Sequence, residues 1–74
     1  MTPKPKTPAK RWRVITSAGP QDYTSERKAY DAINALAAIG TAAIGVRVTV
    51  QHWENGRWGL YERAVITENG WQSA

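Results

Sequence analysis

Alternating hydrophobic and polar residues from Val46 to Ile66 predict a β-hairpin. Two runs rich in β-branched and aromatic residues flank Asn55-Gly56, and successive side chains of a strand point to opposite faces. Both central residues of a type I′ turn need positive φ angles, which the Asn-Gly pair tolerates best. A two-residue loop would place Trp53 opposite Trp58, and the register of the whole hairpin follows from that pair.

This register predicts one apolar face that packs against the core. We assign to it the more apolar set of residues, Val46, Val48, Val50, Tyr61 and Val65. Arg63 falls on the same face, and we expect its guanidinium to reach water at the edge of the sheet. The other face carries Trp53, Trp58 and Leu60 among the polar residues Arg47, Thr49, Gln51 and Glu62. A slip of one residue would exchange the two faces.

The two tryptophans of the hairpin have two interpretations. A cross-strand aromatic pair stabilises a hairpin by roughly 0.2–1 kcal/mol, and Trp53 and Trp58 are placed to form one. Alternatively, Trp53, Trp58 and Leu60 form an exposed apolar patch that binds a partner protein or a second copy of the chain. The sequence leaves both interpretations open.

The remaining elements precede and follow the hairpin. Residues 11–17 (RWRVITS) predict a first strand, and residues 18–21 predict a turn. Residues 21–23 form a further strand only if they pair back on residues 13–15. After the hairpin, Glu68-Asn69-Gly70 is a turn signal, and Trp71 either caps the core or extends a short last strand.

A single helix is predicted between the first strand and the hairpin. Thr24 or Ser25 is a suitable N-cap, and an acid follows in the first turn. Apolar residues then recur at intervals of three and four as far as about Ile39, notably Ala29, Ile33 and Leu36. Gly40 is a typical stop signal.

Together these elements predict an α+β fold of order β-α-β-β, a small and mainly antiparallel sheet with one helix packed on one face. Residues 11–74 would form a single domain, with Val14 or Ile15 from the first strand in its core. Residues 1–10 contain three prolines and alternating lysines, so we expect a disordered basic arm. With 74 residues, the chain buries only about 60% of its unfolded surface, which makes its stability marginal.

The net charge of +4 is unevenly distributed along the chain. Residues 1–13 contain five bases and no acid, whereas residues 14–74 contain five bases and six acids. The basic character therefore belongs to the N-terminal arm. Such an arm either lies along phosphate groups or simply keeps the protein in solution.

No catalytic or metal-binding pattern stands out, so we predict a non-enzymatic protein without cofactor or metal. The chain has no cysteine and one histidine, His52, which excludes thiolate and multi-histidine zinc sites. Glu54 and Glu62 lie near arginines and are expected to be solvated charges. No apolar run is long enough to span a membrane, and no signal peptide is evident, so we expect a cytoplasmic protein.

Binding is the remaining class of function, and nucleic acid is slightly favoured as the partner. Sheet surfaces that carry cations and aromatic rings bind single strands by stacking and charge. The candidate nucleic-acid-binding residues are Lys4, Lys6, Lys10, Arg11, Arg13, Arg47, Trp53, Arg57 and Trp58. The competing hypothesis is a protein-interaction module that docks a host protein, or a second copy as a homodimer, through Trp53, Trp58 and Leu60.

Three segments also carry a resemblance to a known group of proteins. They are RWRV, YTSERKAYDAI and VRVTVQHWENGRWGLYER, within residues 11–66. The pattern resembles small uncharacterised proteins encoded by actinobacteria and their phages. The resemblance implies a small cytoplasmic protein, and a phage origin would favour a modulator of a host protein or nucleic acid. It implies no catalytic residue.

Overall fold

One helix packs on a five-stranded antiparallel sheet in the structure, a computed structural model that describes residues 7–74. The strands are β1 (Trp12–Thr16), β2 (Gly19–Tyr23), β3 (Arg47–Glu54), β4 (Arg57–Thr67) and β5 (Gly70–Ser73). The helix, α1, spans Glu26–Ala37, and a 3₁₀ turn at Thr41–Ala43 leads towards β3. The order across the sheet is β2-β1-β3-β4-β5. The predicted α+β class is confirmed, but the predicted order β-α-β-β lacked β2 and β5.

Both additional strands lie at the edges of the sheet. β2 pairs back on β1 with Val14 opposite Gln21, so the turn falls at residues 17–18 rather than 18–21. Pro20 is compatible with this strand because an edge strand has one side without ladder hydrogen bonds. β5 pairs with β4 and places Trp71 opposite Ile66, where its side chain packs against the core.

The helix begins at the predicted place and ends slightly early. Ser25 is the N-cap, and its side chain accepts a hydrogen bond from the backbone N–H of Lys28 at 3.2 Å. α1 ends at Ala37 rather than near Ile39, and the chain then turns through Gly40, whose φ is +97°. The positive φ explains why glycine occupies this position.

The turn of the hairpin also forms as predicted. Asn55 and Gly56 have φ angles of 55° and 80°, as a type I′ turn requires. Beside the turn, Glu54 pairs with Arg57, Trp53 with Trp58 and Gln51 with Leu60. The predicted register is therefore correct for the half of the hairpin next to the turn.

A β-bulge changes the register in the other half of the hairpin. The shift occurs between Val50 and Gln51, and Val50 pairs with Glu62 instead of Tyr61. β4 thus contains one extra residue opposite β3, and every later residue of β4 points to the face opposite to the predicted one. The predicted pairs of Arg47, Val48, Thr49 and Val50 are wrong for this reason: their partners are Val65, Ala64, Arg63 and Glu62.

The bulge decides which residues of β4 enter the core. The buried residues are Val14, Ala29, Ile33, Ala43, Val48, Val50, Ala64 and Ile66. Leu36 and Val46 are partly buried against them. Tyr61 and Val65 were predicted in the core, but Tyr61 is 48% exposed and Val65 lies on the opposite face. Arg63 also lies on the face opposite the core, so its guanidinium reaches water without extending to the edge of the sheet.

Glu62 anchors the helix to the sheet and is not the solvated charge that was predicted. The bulge turns Glu62 to the helix side, where it is half-buried and accepts hydrogen bonds from the hydroxyls of Tyr30 and Ser73. Two further hydrogen bonds join α1 to the sheet: Tyr61 donates to Glu26, and the indole of Trp71 donates to Asn34, each at 2.9 Å. These bonds lie around the margin of the apolar core.

Stability is expected to fall in acid because of Glu62. The hydroxyls of Ser73 and Tyr30 donate to its carboxylate and lower its pKa in the folded state. Its contribution is therefore present above the unfolded pKa of about 4.3 and is lost as the pH falls through the lower folded value. Urea unfolding should show a Glu62→Gln variant that is less stable at neutral pH and depends less on pH in acid. Glu68→Gln, in an exposed turn, is the matched control; an equal effect of both changes would contradict this role.

Candidate nucleic-acid interface

The face of the sheet opposite α1 carries the candidate residues, and among the elements of residues 7–74 none covers it. We call it the open face. Its members alternate along the strands with the buried residues of the helix side. They are Arg11, Arg13, Ile15, Pro20, Asp22, Arg47, Thr49, Gln51, Trp53, Trp58, Leu60, Arg63, Val65, Thr67 and Gln72.

A cluster of four side chains crosses the open face near the hairpin turn. Arg13 donates from Nε and Nη2 to the two carboxylate oxygens of Asp22, at 2.7 and 3.2 Å. The same guanidinium lies over the Trp58 ring, 4.1 Å from its centroid, as in a cation–π contact. Trp53 contacts Trp58 in a T-shaped arrangement, with 5.5 Å between centroids and 76° between planes.

The contact between Arg13 and Trp58 is made across β3. β1 and β4 are not neighbours in the sheet but flank β3, so their backbones are about 10 Å apart. Arg13 on β1 and Trp58 on β4 meet above the strand between them. Asp22 holds Arg13 in place through two hydrogen bonds, and the Arg13 guanidinium contacts the Trp58 ring.

The Arg13–Asp22 pair stays charged at neutral pH. The hydrogen bonds between the two side chains raise the pKa of Arg13 and lower that of Asp22. Asp22 is the one acid on the open face and is already paired. Within the described part of the chain, the other arginines of this face, Arg11, Arg47 and Arg63, form no ion pair.

The bulge gives the open face more positive charge than the sequence register predicted. That register put Glu62 beside the tryptophans and Arg63 on the core side. In the structure the two are exchanged, since Glu62 bonds to Tyr30 on the helix side and Arg63 pairs with Thr49 on the open face. Four arginines and one acid therefore share this surface with Trp53 and Trp58.

Most of the predicted site residues lie together. Arg13, Arg47, Trp53, Trp58 and Leu60 share the open face, and the backbone of Arg11 bonds to that of Trp53 at its margin. Lys10 is exposed just before β1, and Lys4 and Lys6 lie outside the described residues.

Arg57 is the prediction that the structure corrects. It stands opposite Glu54, and strand alternation puts both residues on the helix side, where they line a shallow groove with His52 and Tyr61. The tryptophan pair is on the other side of the sheet. Arg57 is therefore not part of the open face.

Arg63 lies on the open face but is absent from the candidates predicted from the sequence. The signal was the charge itself: an arginine on the predicted core face indicated that the register of β4 was displaced there. In the structure Ala64 and Ile66 point into the core, whereas Arg63 and Val65 point to the open face. Strand alternation that starts from a buried Ile66, instead of from the turn, puts Arg63 on the open face.

The only histidine serves in packing on the helix side. Trp12 stacks on His52 with 4.2 Å between ring centroids, and Tyr61 meets Trp12 edge-on at 4.7 Å. Across residues 7–74, no three potential metal ligands come together. The described helices include none that is long and apolar enough to cross a membrane.

Comparison of the chain with protein-family models, curated proteins and solved structures finds no match.

Proposed function

We propose that the protein binds single-stranded nucleic acid on the open face of its sheet. The observation that carries the proposal is the combination, on one uncovered surface, of the Trp53/Trp58 pair with four arginines and a single, already paired acid. Arginines attract the phosphates of a single strand, and tryptophans stack on its bases.

A single strand fits this surface better than a duplex does. The bases of a duplex are stacked on one another, and their ring faces are closed to protein side chains. Trp53 and Trp58 offer stacking surface only to bases that are free of such neighbours. The cation–π contact with Arg13 holds Trp58 ready before the strand arrives, so that little ordering of that side chain is needed on binding.

The N-terminal lysines would add affinity without adding specificity. Lys4, Lys6 and Lys10 belong to a segment without acids, directly before β1. Lysines act on phosphates as point charges, and their contribution should weaken steeply with salt. The arm and the open face therefore predict different responses to ionic strength.

A fluorescence titration tests the proposal. Tryptophan emission is followed while short single strands of DNA and RNA, and matched duplexes, are added at low and moderate salt. We expect single strands to quench the emission, and a variant with Lys4, Lys6 and Lys10 changed to glutamine to bind more weakly but still quench. If the three lysine changes abolish binding, the N-terminal lysines alone account for it, and the open face is not the binding site. Absence of binding to any strand would refute the proposal.

A protein surface is the second candidate function, because Leu60 is 59% exposed beside the tryptophan pair. An exposed leucine adds nothing to phosphate binding but suits an apolar contact with a protein partner or a second copy. Sedimentation of the free protein tests self-association. A concentration-dependent dimer that Leu60→Ser abolishes would favour this candidate.

A further inference from the structure

A second region, which carries two arginines and no tryptophan, lies at the end of the open face far from the hairpin turn. A groove of about 430 Å³ lies there, and its lining residues are Arg47, Val48, Thr49, Arg63, Ala64, Val65 and Ala74. None of the side chains that line it is acidic. Its arginines are exposed, and neither pairs with an acid anywhere in residues 7–74.

The strand register brings the two arginines close together. Arg47 stands opposite Val65, and Arg63 stands opposite Thr49, so the arginines are diagonal neighbours on β3 and β4. Diagonal neighbours lie about 7–8 Å apart at the backbone, a spacing that lets two long side chains reach one phosphate or two consecutive ones. The hydroxyl of Thr49, between them, can donate a further hydrogen bond.

The tryptophan pair and this second region lie towards opposite ends of the open face. Trp53 and Arg47 lie near opposite ends of β3, which places them about 20 Å apart at the rise of a β-strand. Between them β3 presents Gln51 and Thr49, which stand beside Arg13 and Ile15 of β1. The open face therefore has two chemically different ends.

We propose that Arg47 and Arg63 form a phosphate clamp for the same strand whose bases stack at Trp53 and Trp58. This inference rests on the proposed function and adds a direction and a minimum length to it. A guanidinium can bind a phosphate with two parallel hydrogen bonds, which lysine cannot do. The strand must bridge about 20 Å to use both ends, on the order of four nucleotides, at the lower end of known single-strand sites.

The test measures affinity against oligonucleotide length, using homopyrimidine single strands of about two to ten nucleotides. Full-length wild type is compared with Arg47→Ala, Arg63→Ala and the double variant. Arg27→Ala is the matched control, because Arg27 is exposed on α1 and its loss removes the same charge from the other side of the sheet. Circular dichroism confirms that each variant is folded.

We expect the affinity of wild type to rise with length until the strand reaches both ends, and then to level off. The double variant should lose about tenfold for long strands and little for the shortest, and its slope of log affinity against log salt should fall by about 0.7 per arginine. Arg27→Ala should match wild type. An equal loss with Arg27→Ala, or an unchanged length profile in the double variant, would overturn the clamp.

A titration with inorganic pyrophosphate, followed by NMR, separates failure of the clamp from failure of the proposed function. Selective shifts at Arg47, Arg63 and Thr49, with the Thr49 shift absent from the double variant, support phosphate binding by the two arginines even if no strand quenches tryptophan. If strands bind and quench while pyrophosphate shifts neither arginine, the clamp is overturned and strand binding at the tryptophans stands. If neither ligand has an effect, both proposals fall.

Discussion

Replacing Ile66 by alanine is expected to lower the free energy of unfolding by about 3 kcal/mol, whereas Val65→Ala should cost about 1 kcal/mol or less. Ile66 is 1% exposed beneath α1, and its truncation leaves a cavity that the neighbouring side chains fill only in part. Val65 points to the open face, where water replaces the lost methyl groups. A domain of this size has only a few kcal/mol of stability, so the Ile66→Ala variant should be close to unfolded at room temperature.

Urea unfolding of both variants measures the effect and tests the bulge at the same time. Without the bulge, Val65 would be in the core and Ile66 on the surface, so the order of the two effects would be reversed. A larger loss for Val65→Ala than for Ile66→Ala would therefore contradict the observed register. It would also return Glu62 to the side of the tryptophans and weaken the case for a cationic open face.

Alanine at Trp53 or Trp58 is expected to weaken single-strand binding by about 1–3 kcal/mol, or roughly tenfold to a hundredfold. Each change removes stacking surface from the open face, and Trp58→Ala also leaves Arg13 without its cation–π partner. The double change should abolish the quenching component that comes from this pair. Affinity is measured by titration at moderate salt, where charge alone contributes less.

Tyr61→Leu is the matched control for the two tryptophan changes. Tyr61 is an exposed aromatic residue of the same hairpin, but its hydroxyl bonds to Glu26 on the helix side. Its loss should leave strand affinity unchanged. Each tryptophan variant also loses a cross-strand pair worth roughly 0.2–1 kcal/mol, so its stability is measured alongside. If folded tryptophan variants bind as tightly as wild type, the strand does not bind on the open face.

The two ends of the open face differ in how their side chains are held. Asp22 fixes Arg13, and Arg13 fixes Trp58, so the stacking end is preformed. Arg47 and Arg63 at the other end are exposed and have no acidic partner within the described residues. The tryptophan pair and the two exposed arginines are thus separated in space, and variants at each end should change different measured quantities.

The candidate site was only partly predictable from sequence. Trp53, Trp58 and Leu60 lie next to the turn, where the two-residue loop fixes the pairing, and their shared face followed directly. Arg13 and Arg47 were identified as candidates by composition, but their contacts were not. Arg57 was named as a candidate but lies on the helix side, and Arg63 was missed beyond the bulge.

The sequence alone determined the features that depend on a few neighbouring residues. The Asn55-Gly56 turn follows from the φ angles that these residues tolerate, and the start of α1 follows from a hydrogen bond that Ser25 makes within its own first turn. The α+β class follows from the change of hydrophobic period between helix and strands.

Tertiary structure decided the features that depend on distant partners. The turn fixes the pairing of Gln51 with Leu60. Burial of Ala64 and Ile66 in the core requires the alternation opposite to the one that this pairing would impose on the rest of β4. One extra residue in β4 satisfies both requirements. That compromise is the bulge. It moves Glu62 to the helix and Arg63 to the open face, because side chains alternate with a period of two and one added residue reverses them all.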